Sequence, residues 1–256
     1  MSTGLRINRA SDDAAGLGVS ENLRTQIRGT AQATKNAQDG IALLNIAEGA
    51  ANEISDILQR MRELAIQTSN DTLTSTERNY ADLEFQKLDD EINRIAKVTN
   101  YNGVGLISSE SNRFGVGHST NTDVGSVLWI DANNTVGTDS VTVSISTLTS
   151  SGLNIDTLAL SSQTGSTQAI SRLDNAIDSV NSMRANLGAY VNRLDHAINN
   201  LLSSNSNQQA AESLIRDVDF AAESTKFTRN QILTQSGTAM LSQANMLPQS
   251  VLQLVG

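Results

Sequence analysis

The sequence lacks most of the residues on which enzymes, metal proteins and membrane proteins depend. It contains no cysteine, which excludes disulfides and thiolate metal sites but does not fix the compartment. No apolar run approaches the roughly 18 residues that a membrane-spanning helix needs, and the first residues lack the apolar stretch of a cleavable signal peptide. The net charge of −9 argues against nucleic acid or an anionic membrane as a main partner, because both bind clustered lysine and arginine.

Candidate catalytic residues are equally scarce. The two histidines, His118 and His196, are far apart, and neither has a second histidine or cysteine at ligand spacing. The glycine pairs at 103–105 and 115–117 lack the third glycine of a phosphate-binding loop, so turns explain them better. The acidic runs at 89–91 and 217–219 lack the other ligands of a calcium loop. We therefore predict that the protein is not an enzyme and uses no cofactor and no metal.

What is present suits long helices. Aromatic residues make up only 3% of the chain, so a conventional compact core would be thin, and the single proline is Pro248. Apolar residues recur every three or four positions over most of the sequence, which is the spacing of a helix with one buried face. We predict helices at residues 12–69, 75–99 and 167–205, after an extended lead-in at 1–11.

Local signals indicate where these helices begin and which residues they bury. Ser11 is a good N-cap, and Thr74 with Glu77 fits a capping box. The polar run at 203–207 is expected to loosen the end of the third helix. The seam of the first helix consists of Ala37, Ile41, Leu44, Ala47, Ala51, Ile54, Leu58, Met61 and Ala65, and that of the third of Ile170, Leu173, Ile177, Val180, Met183, Leu187, Val191, Leu194, Ile198 and Leu201.

The middle of the chain changes to a period of two. Val127 to Ile130 is a short apolar run, and Val141, Val143 and Ile145 alternate with small polar residues. This pattern is typical of strands with one buried face. We predict a β-hairpin region over 108–150 and a surface loop, rich in Ser, Thr and Gly, over 147–166.

The C-terminal segment, 207–256, carries an apolar stripe that has no partner nearby in the sequence. The stripe steps by three or four residues and consists of Met240, Ala244, Leu247, Val251 and Leu254. Its four large side chains would gain about 6–12 kcal/mol from burial, while an isolated helix of this length is marginal in water. We therefore interpret these five residues as an assembly surface, packed against other copies of the chain, and expect the segment to be mobile in the monomer.

Several blocks at both ends of the chain resemble bacterial flagellin. At the N-terminal end they are Gly4-Leu5-Arg6-Ile7-Asn8, Ser11-Asp12-Asp13-Ala14-Ala15-Gly16-Leu17, Asn36-Ala37-Gln38-Asp39-Gly40-Ile41 and Leu58 to Gln67. At the C-terminal end they are Ile215 to Ala221, Gln243-Ala244-Asn245-Met246 and Val251-Leu252. The blocks are collinear and cover residues 4–107 and 167–255, on both sides of the variable middle.

The resemblance implies a mainly α fold, an elongated antiparallel helical bundle with a small β-hairpin region and a C-terminal assembly helix. Residues 12–206 would form the core domain and 207–256 the helix of the inner filament core. Family members usually carry a further helical arm before Gly4, so we expect a truncated chain that assembles poorly. The very short middle leaves no room for the large outer domain of many flagellins.

The resemblance also implies a function: a structural subunit of the extracellular bacterial flagellar filament, exported without a cleavable signal peptide and acting by helical self-assembly. Implied partners are other flagellin subunits, the filament cap and hook-junction proteins, and an export chaperone on the C-terminal helix. Neither nucleic acid nor membrane is among them.

In flagellins recognised by the flagellin-sensing Toll-like receptor, the stretch matching Leu58 to Gln67 is the main contact. By that motif, the receptor-binding residues here are Gln59, Arg60, Leu64 and Gln67, with Glu84 on the neighbouring helix. Taken without the resemblance, the same residues form an ordinary charged helix surface.

Two other readings of the sequence stay open. A hook–filament junction protein shares the terminal architecture, although the long matches at Leu58–Gln67 and at the C terminus favour flagellin. A self-contained helical adaptor would instead fold its tail back on its own bundle, and would then show a compact monomer with a fully protected tail.

Overall fold

The computed structural model describes residues 3–108, 114, 126–133, 135 and 138–255, with side chains up to residue 244. The chain is mainly α, as predicted, with small antiparallel hairpins in the described part. The elements are α1 (Ala14–Thr68), α2 (Ser75–Val98), β1 (Asn100–Tyr101), β2 (Val104–Gly105), β3 (Ser126–Trp129), β4 (Ser140–Val143), α3 (Gln163–Arg216) and α4 (Phe220–Val255).

The chain forms two compact units, and each is described by itself. The larger, Arg28–Asn205, contains most of α1 and α3 together with α2 and all four strands. The smaller consists of Met1–Ile27 and Ser206–Gly256. The division into a core domain at 12–206 and a C-terminal helix at 207–256 stays a prediction.

The core of the larger unit is built around the apolar seams of its three helices. The predicted seam of α1 is confirmed, since every member is buried except Ile41, which is half-buried. Alanines such as Ala47 and Ala51 alternate there with Leu44, Ile54 and Leu58. Small residues bring helix backbones close together, so a dense interior forms with few aromatics. Among the described residues, Phe85 is the largest fully buried side chain.

The turn between α1 and α2 is closed by hydrogen bonds at both helix ends. The predicted capping box is confirmed, because the Glu77 amide donates to Thr74 Oγ1 and the Thr74 amide donates to Glu77 Oε2 over 2.7 Å. From α2, the Arg78 guanidinium donates to the carbonyls of Thr68 (3.1 Å) and Asn70 (3.0 Å). Thr68 is the last residue of α1 and Asn70 lies just after it, so this cation also complements the helix dipole.

The first hairpin, β1 with β2, was not predicted. Its turn residues Asn102 and Gly103 both have positive φ, 52° and 77°, and the register pairs Asn100 with Gly105. Two successive positive φ angles are what a type I′ turn requires, and Asn-Gly is the preferred dipeptide. The Asn102-Gly103 dipeptide therefore indicated this turn in the sequence, although the strands on either side are only two residues long.

The second hairpin lies against α1. Strands β3 and β4 pair antiparallel, with Leu128 opposite Val141. Asn36 Nδ2 donates to the carbonyl of Trp129 over 3.3 Å. Two glycines of α1 leave room for this hairpin: a Cβ on Gly40 would lie 2.7 Å from Leu128 Cδ1, and one on Gly29 would lie 2.6 Å from Ala132 Cβ. Residues 109–113, 115–125, 134, 136 and 137 of the predicted hairpin region lie outside the described part.

The predicted surface loop at 147–166 is wrong. Leu148, Leu153, Ile155 and Leu160 are buried in the core, and α3 already begins at Gln163. Asn93 of α2 holds this segment through two bonds to Ser150: its Nδ2 donates to Oγ (2.7 Å), and the Ser150 amide donates to its Oδ1 (3.1 Å). The segment buries its apolar residues because turns and side chains satisfy its backbone, which a search for regular periods does not detect.

The predicted end of the third helix is also wrong. The helix runs without interruption through 203–207 to Arg216. Serine and asparagine lower helix stability by less than about 0.7 kcal/mol each, and Asn205 Nδ2 also donates to Thr30 Oγ1 over 2.7 Å. A polar composition therefore did not end this helix.

Candidate functional site

In the smaller unit, the N-terminal lead-in pairs with the connection between α3 and α4. The Arg6 amide donates to the carbonyl of Arg216 (2.7 Å), and the Val218 amide donates to that of Gly4 (3.1 Å). Leu5 and Asp217 form an antiparallel bridge. The lead-in therefore acts as a short strap that fixes the backbone just before α4, a contact between distant segments that local sequence signals could not reveal.

Aspartates organise the start of α1 beside this strap. The predicted N-cap Ser11 is wrong, since α1 begins at Ala14 and Asp13 Oδ1 accepts from the Gly16 amide over 2.9 Å. Asp12 Oδ2 accepts from the amides of Arg9 and Asn8, and these bonds lower the pKa of Asp12. Ser11 is a favourable capping residue, but a two-residue shift places a carboxylate at the helix terminus, where the dipole favours it.

The last helix begins at its own cap and is exposed. Asp219 Oδ1 accepts from the amides of Ala221 (3.0 Å) and Ala222 (3.2 Å). Every residue from 225 to 244 is exposed. Six large apolar side chains of the described part of α4 are between 56% and 72% exposed, namely Phe220, Phe227, Ile232, Leu233, Met240 and Leu241.

The predicted assembly residues lie within α4. Met240 is 72% exposed and Ala244 is also exposed. The side chains of Leu247, Val251 and Leu254 lie outside the described part. Sequence reasoning missed the more N-terminal apolar residues, such as Phe227 and Leu233, because it followed a single stripe near the chain end.

In the larger unit, the structure brings Arg60 and Glu84 together. From α1, the Arg60 guanidinium donates through Nε (3.1 Å) and Nη2 (2.9 Å) to Glu84 Oε1 on α2, and through Nη1 (3.0 Å) to Glu63 Oε2. The carboxylate of Glu84, followed by that of Glu63, raises the pKa of Arg60. Gln59 and Gln67 are exposed on the same helix.

The fifth predicted receptor-binding residue, Leu64, is not on this surface. It is 2% exposed and belongs to the core, so its side chain supports the helix from below. Membership in a matching motif does not separate the faces of a helix, whereas spacing does: Leu64 lies three residues after the buried Met61. Glu63, which also accepts a hydrogen bond from Arg60, was not in the predicted set.

The described part offers no competing chemical centre. It contains no group of three or more His, Asp or Glu side chains placed to hold a metal ion, and none of its helices is long and apolar enough to cross a membrane. His196 is exposed on α3, and His118 lies outside the described residues. Asp217 accepts from Ser213 Oγ over 2.6 Å, which gives it a structural role in the turn before α4.

Comparisons with known proteins agree at both ends of the chain. Residues 1–112 match the bacterial flagellin N-terminal helical region, and residues 170–255 match the bacterial flagellin C-terminal helical region. Flagellin FlaB2 of Treponema pallidum is 43% identical over 263 residues, covering 100% of this chain and 90% of that protein.

Solved structures of flagellar proteins are also similar to this chain. The crystal structure of Bacillus cereus flagellin is 32% identical with a TM-score of 0.53, and the match covers 70% of this chain and 94% of that one. A putative flagellar hook-associated protein from Vibrio parahaemolyticus has a TM-score of 0.62 over 80% of this chain and 99% of its own, but at 16% identity it shows the fold alone.

Flagellins are a family of structural proteins of the extracellular flagellar filament and not a family of enzymes. Two matched terminal regions and extensive identity to a full-length relative leave one conclusion: the chain belongs to the bacterial flagellin family.

Proposed function

We propose that this filament subunit assembles by burying the apolar side chains of α4 against neighbouring copies of the chain. The observation that carries the proposal is the uninterrupted exposure of residues 225–244. Burial of a large apolar side chain is worth about 1.5–3 kcal/mol, so the six exposed ones of α4 offer about 9–18 kcal/mol before the cost of association is subtracted. Assembly is the process that would recover this free energy.

The strap supports the same proposal. Backbone hydrogen bonds from Arg6 and to Gly4 hold the chain just before Phe220, so α4 starts from a fixed point. Arg216 adds an ion pair to Glu21 over 2.7 Å, and this bond lowers the pKa of Glu21. An assembly helix that starts from a fixed backbone loses less orientational freedom on binding than one on a free linker.

Hydrogen exchange tests the assembly proposal against the self-contained adaptor. In dilute monomer, we expect amides of α4 to exchange much faster than those at 170–200 in α3, and to become protected as protein concentration rises. Equal protection of both segments in dilute monomer would mean that the tail docks on its own chain, and the adaptor reading would replace this one.

A matched pair of variants separates assembly from general surface hydrophobicity. Leu233→Gln removes an exposed leucine of α4, and Leu202→Gln removes a comparably exposed leucine of α3 in the larger unit. Sedimentation should show weaker self-association for Leu233→Gln and an unchanged profile for Leu202→Gln. An equal loss in both variants would contradict a surface specific to α4.

The same exposed helix would serve the other partners implied by the family: the filament cap, hook-junction proteins and an export chaperone. Each would cover apolar surface that the monomer leaves in water. The identity of 43% to a filament flagellin favours this reading over a hook–filament junction protein. A chaperone complex should protect amides of α4 and leave 170–200 unchanged.

A second function, as a ligand of the flagellin-sensing Toll-like receptor, is proposed for the Arg60 face. A guanidinium held by two carboxylates is pre-ordered, and arginine is among the commonest binding hot spots. Gln59 and Gln67 flank it with exposed amides, and Glu84 adds an accepting oxygen. Leu64 contributes from the core by holding the helix in place.

The receptor proposal is tested by Arg60→Ala in cells that report receptor activation. Arg94→Ala is the control, because Arg94 is also an exposed arginine bonded to a glutamate three residues away, Glu91. We expect activation to fall by at least about tenfold for Arg60→Ala, since hot-spot truncations exceed about 2 kcal/mol, and to stay unchanged for Arg94→Ala. The same activity in both variants would remove the proposal.

A further inference from the structure

A cavity in the larger unit gathers an unusual share of the aromatic side chains. It has a volume of about 390 Å³ and lies between α1 and the two hairpins. Tyr101, Phe114 and Trp129 line it, in a chain with one tryptophan, three tyrosines and four phenylalanines. Leu43 and Leu128 complete the apolar wall. The volume falls in the range of sites for small molecules, roughly 300–1,000 Å³.

Among the described residues that line the cavity, only Asp39 carries a charge, and it is negative. Asp39 lies on α1 at this cavity and is exposed. Among the described residues its carboxylate has no ion pair, even though Lys35 lies one helical turn earlier. The protein as a whole carries a net charge of −9. The electrostatic environment therefore favours a cation over an anion.

The walls of the cavity are held by contacts that do not depend on a ligand. Asn36 fixes the Trp129 backbone on α1, and the Phe114 amide donates to the carbonyl of Gly105 over 2.8 Å. Gly40 allows Leu128 to approach the helix closely. The aromatic groups are thus carried by a packed scaffold, which reduces the entropy lost when something binds between them.

We propose that this cavity binds a small organic cation with apolar bulk around the charge, such as a quaternary ammonium group. Aromatic faces attract cations through their quadrupole, and Asp39 supplies the counter-charge at the rim. A neutral apolar ligand would leave Asp39 unused, while a bare metal ion would find a single carboxylate and apolar walls. None of the described residues that line this cavity belongs to α4 or to the Arg60 face.

The single tryptophan gives a direct assay. Trp129 lies in the cavity wall, so its fluorescence reports occupancy in the full-length chain without a label. Choline is the probe, and the comparison ligand is its neutral isostere with carbon in place of nitrogen, at constant ionic strength. We expect a saturable fluorescence change with choline. The isostere should bind at least about threefold more weakly, which is the effect of a cation–π interaction at the low end of its usual range of strength.

Two variants test the roles of charge and aromatic face. Asp39→Asn should weaken choline binding by about threefold or more while leaving the isostere unaffected, and Tyr101→Leu should do the same through loss of the ring. Asp56→Asn, at another exposed position of α1, is the control and should bind choline as the unmodified chain does. Circular dichroism establishes that each variant is folded.

Three results would overturn the proposal. Equal affinity for choline and its isostere would identify a purely apolar cavity. Unchanged choline binding by Asp39→Asn would exclude the counter-charge. A fluorescence change that never saturates, or that an equal concentration of sodium chloride reproduces, would mean that the cavity holds no organic cation. If the amides around the cavity then became protected from hydrogen exchange as protein concentration rises, its occupant would be a side chain of a second copy.

Discussion

Two glycines of the same helix should respond in opposite directions to the same substitution. Gly29 and Gly49 both lie in the interior of α1, in the larger unit. A Cβ on Gly49 would meet nothing within 4 Å, whereas a Cβ on Gly29 would lie 2.6 Å from Ala132 Cβ and 3.1 Å from Ala132 Cα. Because one of the atoms near Gly29 is backbone, no side-chain rotation can relieve that contact.

The magnitudes follow from two opposing effects. Alanine is favoured over glycine inside a helix by about 0.8–1.0 kcal/mol, so Gly49→Ala should stabilise the protein by nearly that amount. Overpacking costs about 1–3 kcal/mol, so Gly29→Ala should be destabilised by up to about 2 kcal/mol after the same helix gain is subtracted. The two variants should therefore differ by about 1–3 kcal/mol.

Thermal unfolding followed by far-UV circular dichroism measures this difference. A change of 1 kcal/mol shifts Tm by about 2–4 °C in a protein of this size, so the variants should be separated by about 2–12 °C. Trp129 fluorescence provides a local readout, since β3 ends three residues before Ala132. If Gly29→Ala melts as late as Gly49→Ala, the hairpin does not lie on α1 as the structure describes.

Three further predictions concern the connections of α2. Arg78→Ala should cost about 1.5–3 kcal/mol of unfolding free energy, because the carbonyls of Thr68, at the end of α1, and of Asn70 lose a charged donor. Urea denaturation against Lys87→Ala, which removes an exposed cation, checks it. Thr74→Ala should cost about 0.5–2 kcal/mol through loss of the capping box, and Thr74→Ser should retain most of it. Burial, with a smaller contribution from Asp90, raises the pKa of Asp89, so the folded protein holds this proton more tightly than the unfolded chain. Asp89 therefore stabilises the fold at low pH, and this stability is lost as pH rises through the folded pKa, which lies above the ordinary value of 3.8. Compared with the unmodified protein, Asp89→Asn should be more stable at neutral pH and should lose that part of the pH dependence.

The sequence predicted those features that depend on regular spacing or on neighbouring residues. The seams of α1 and α3 follow from a period of three to four, and the capping box from Thr74 and Glu77 alone. The strand near 127–130 was found from a short apolar run, and the one near 141–145 because apolar and small polar residues alternate there. In each case the information lies within about a dozen residues.

The features that sequence reasoning missed depend on distant partners. Nothing near 147–160 signals that Asn93 binds Ser150, yet that contact allows a serine-rich segment to be buried. Likewise, the polar run at 203–207 stays helical in the structure, with Asn205 bonded to Thr30, which precedes it by 175 residues. Local composition describes what a segment tolerates, while the tertiary contact decides which conformation it takes.

The Arg60–Glu84 pair depends on such a contact through the register of two helices. Arg78 binds the carbonyl of Thr68 and so fixes where α2 starts beside the end of α1. From that point, Glu84 lies six residues along α2 and Arg60 lies eight back along α1, which are about 9 Å and 12 Å at 1.5 Å per residue. Long side chains span the difference, as the 2.9 Å bond shows.

The same geometry makes the pair sensitive to the turn. A slip of one residue in α2 would rotate Glu84 by about 100° and remove it from Arg60. Loss of the Arg78 cap should therefore disturb the Arg60–Glu84 pair, although Arg78 is not part of the Arg60 face. Arg78→Ala should reduce receptor activation even under conditions where the chain remains fully folded, whereas Arg94→Ala, on the same helix beyond the turn, should not. Full activation by folded Arg78→Ala would show that the register of α2 is set elsewhere, by the buried contacts of Phe85 and Ile92.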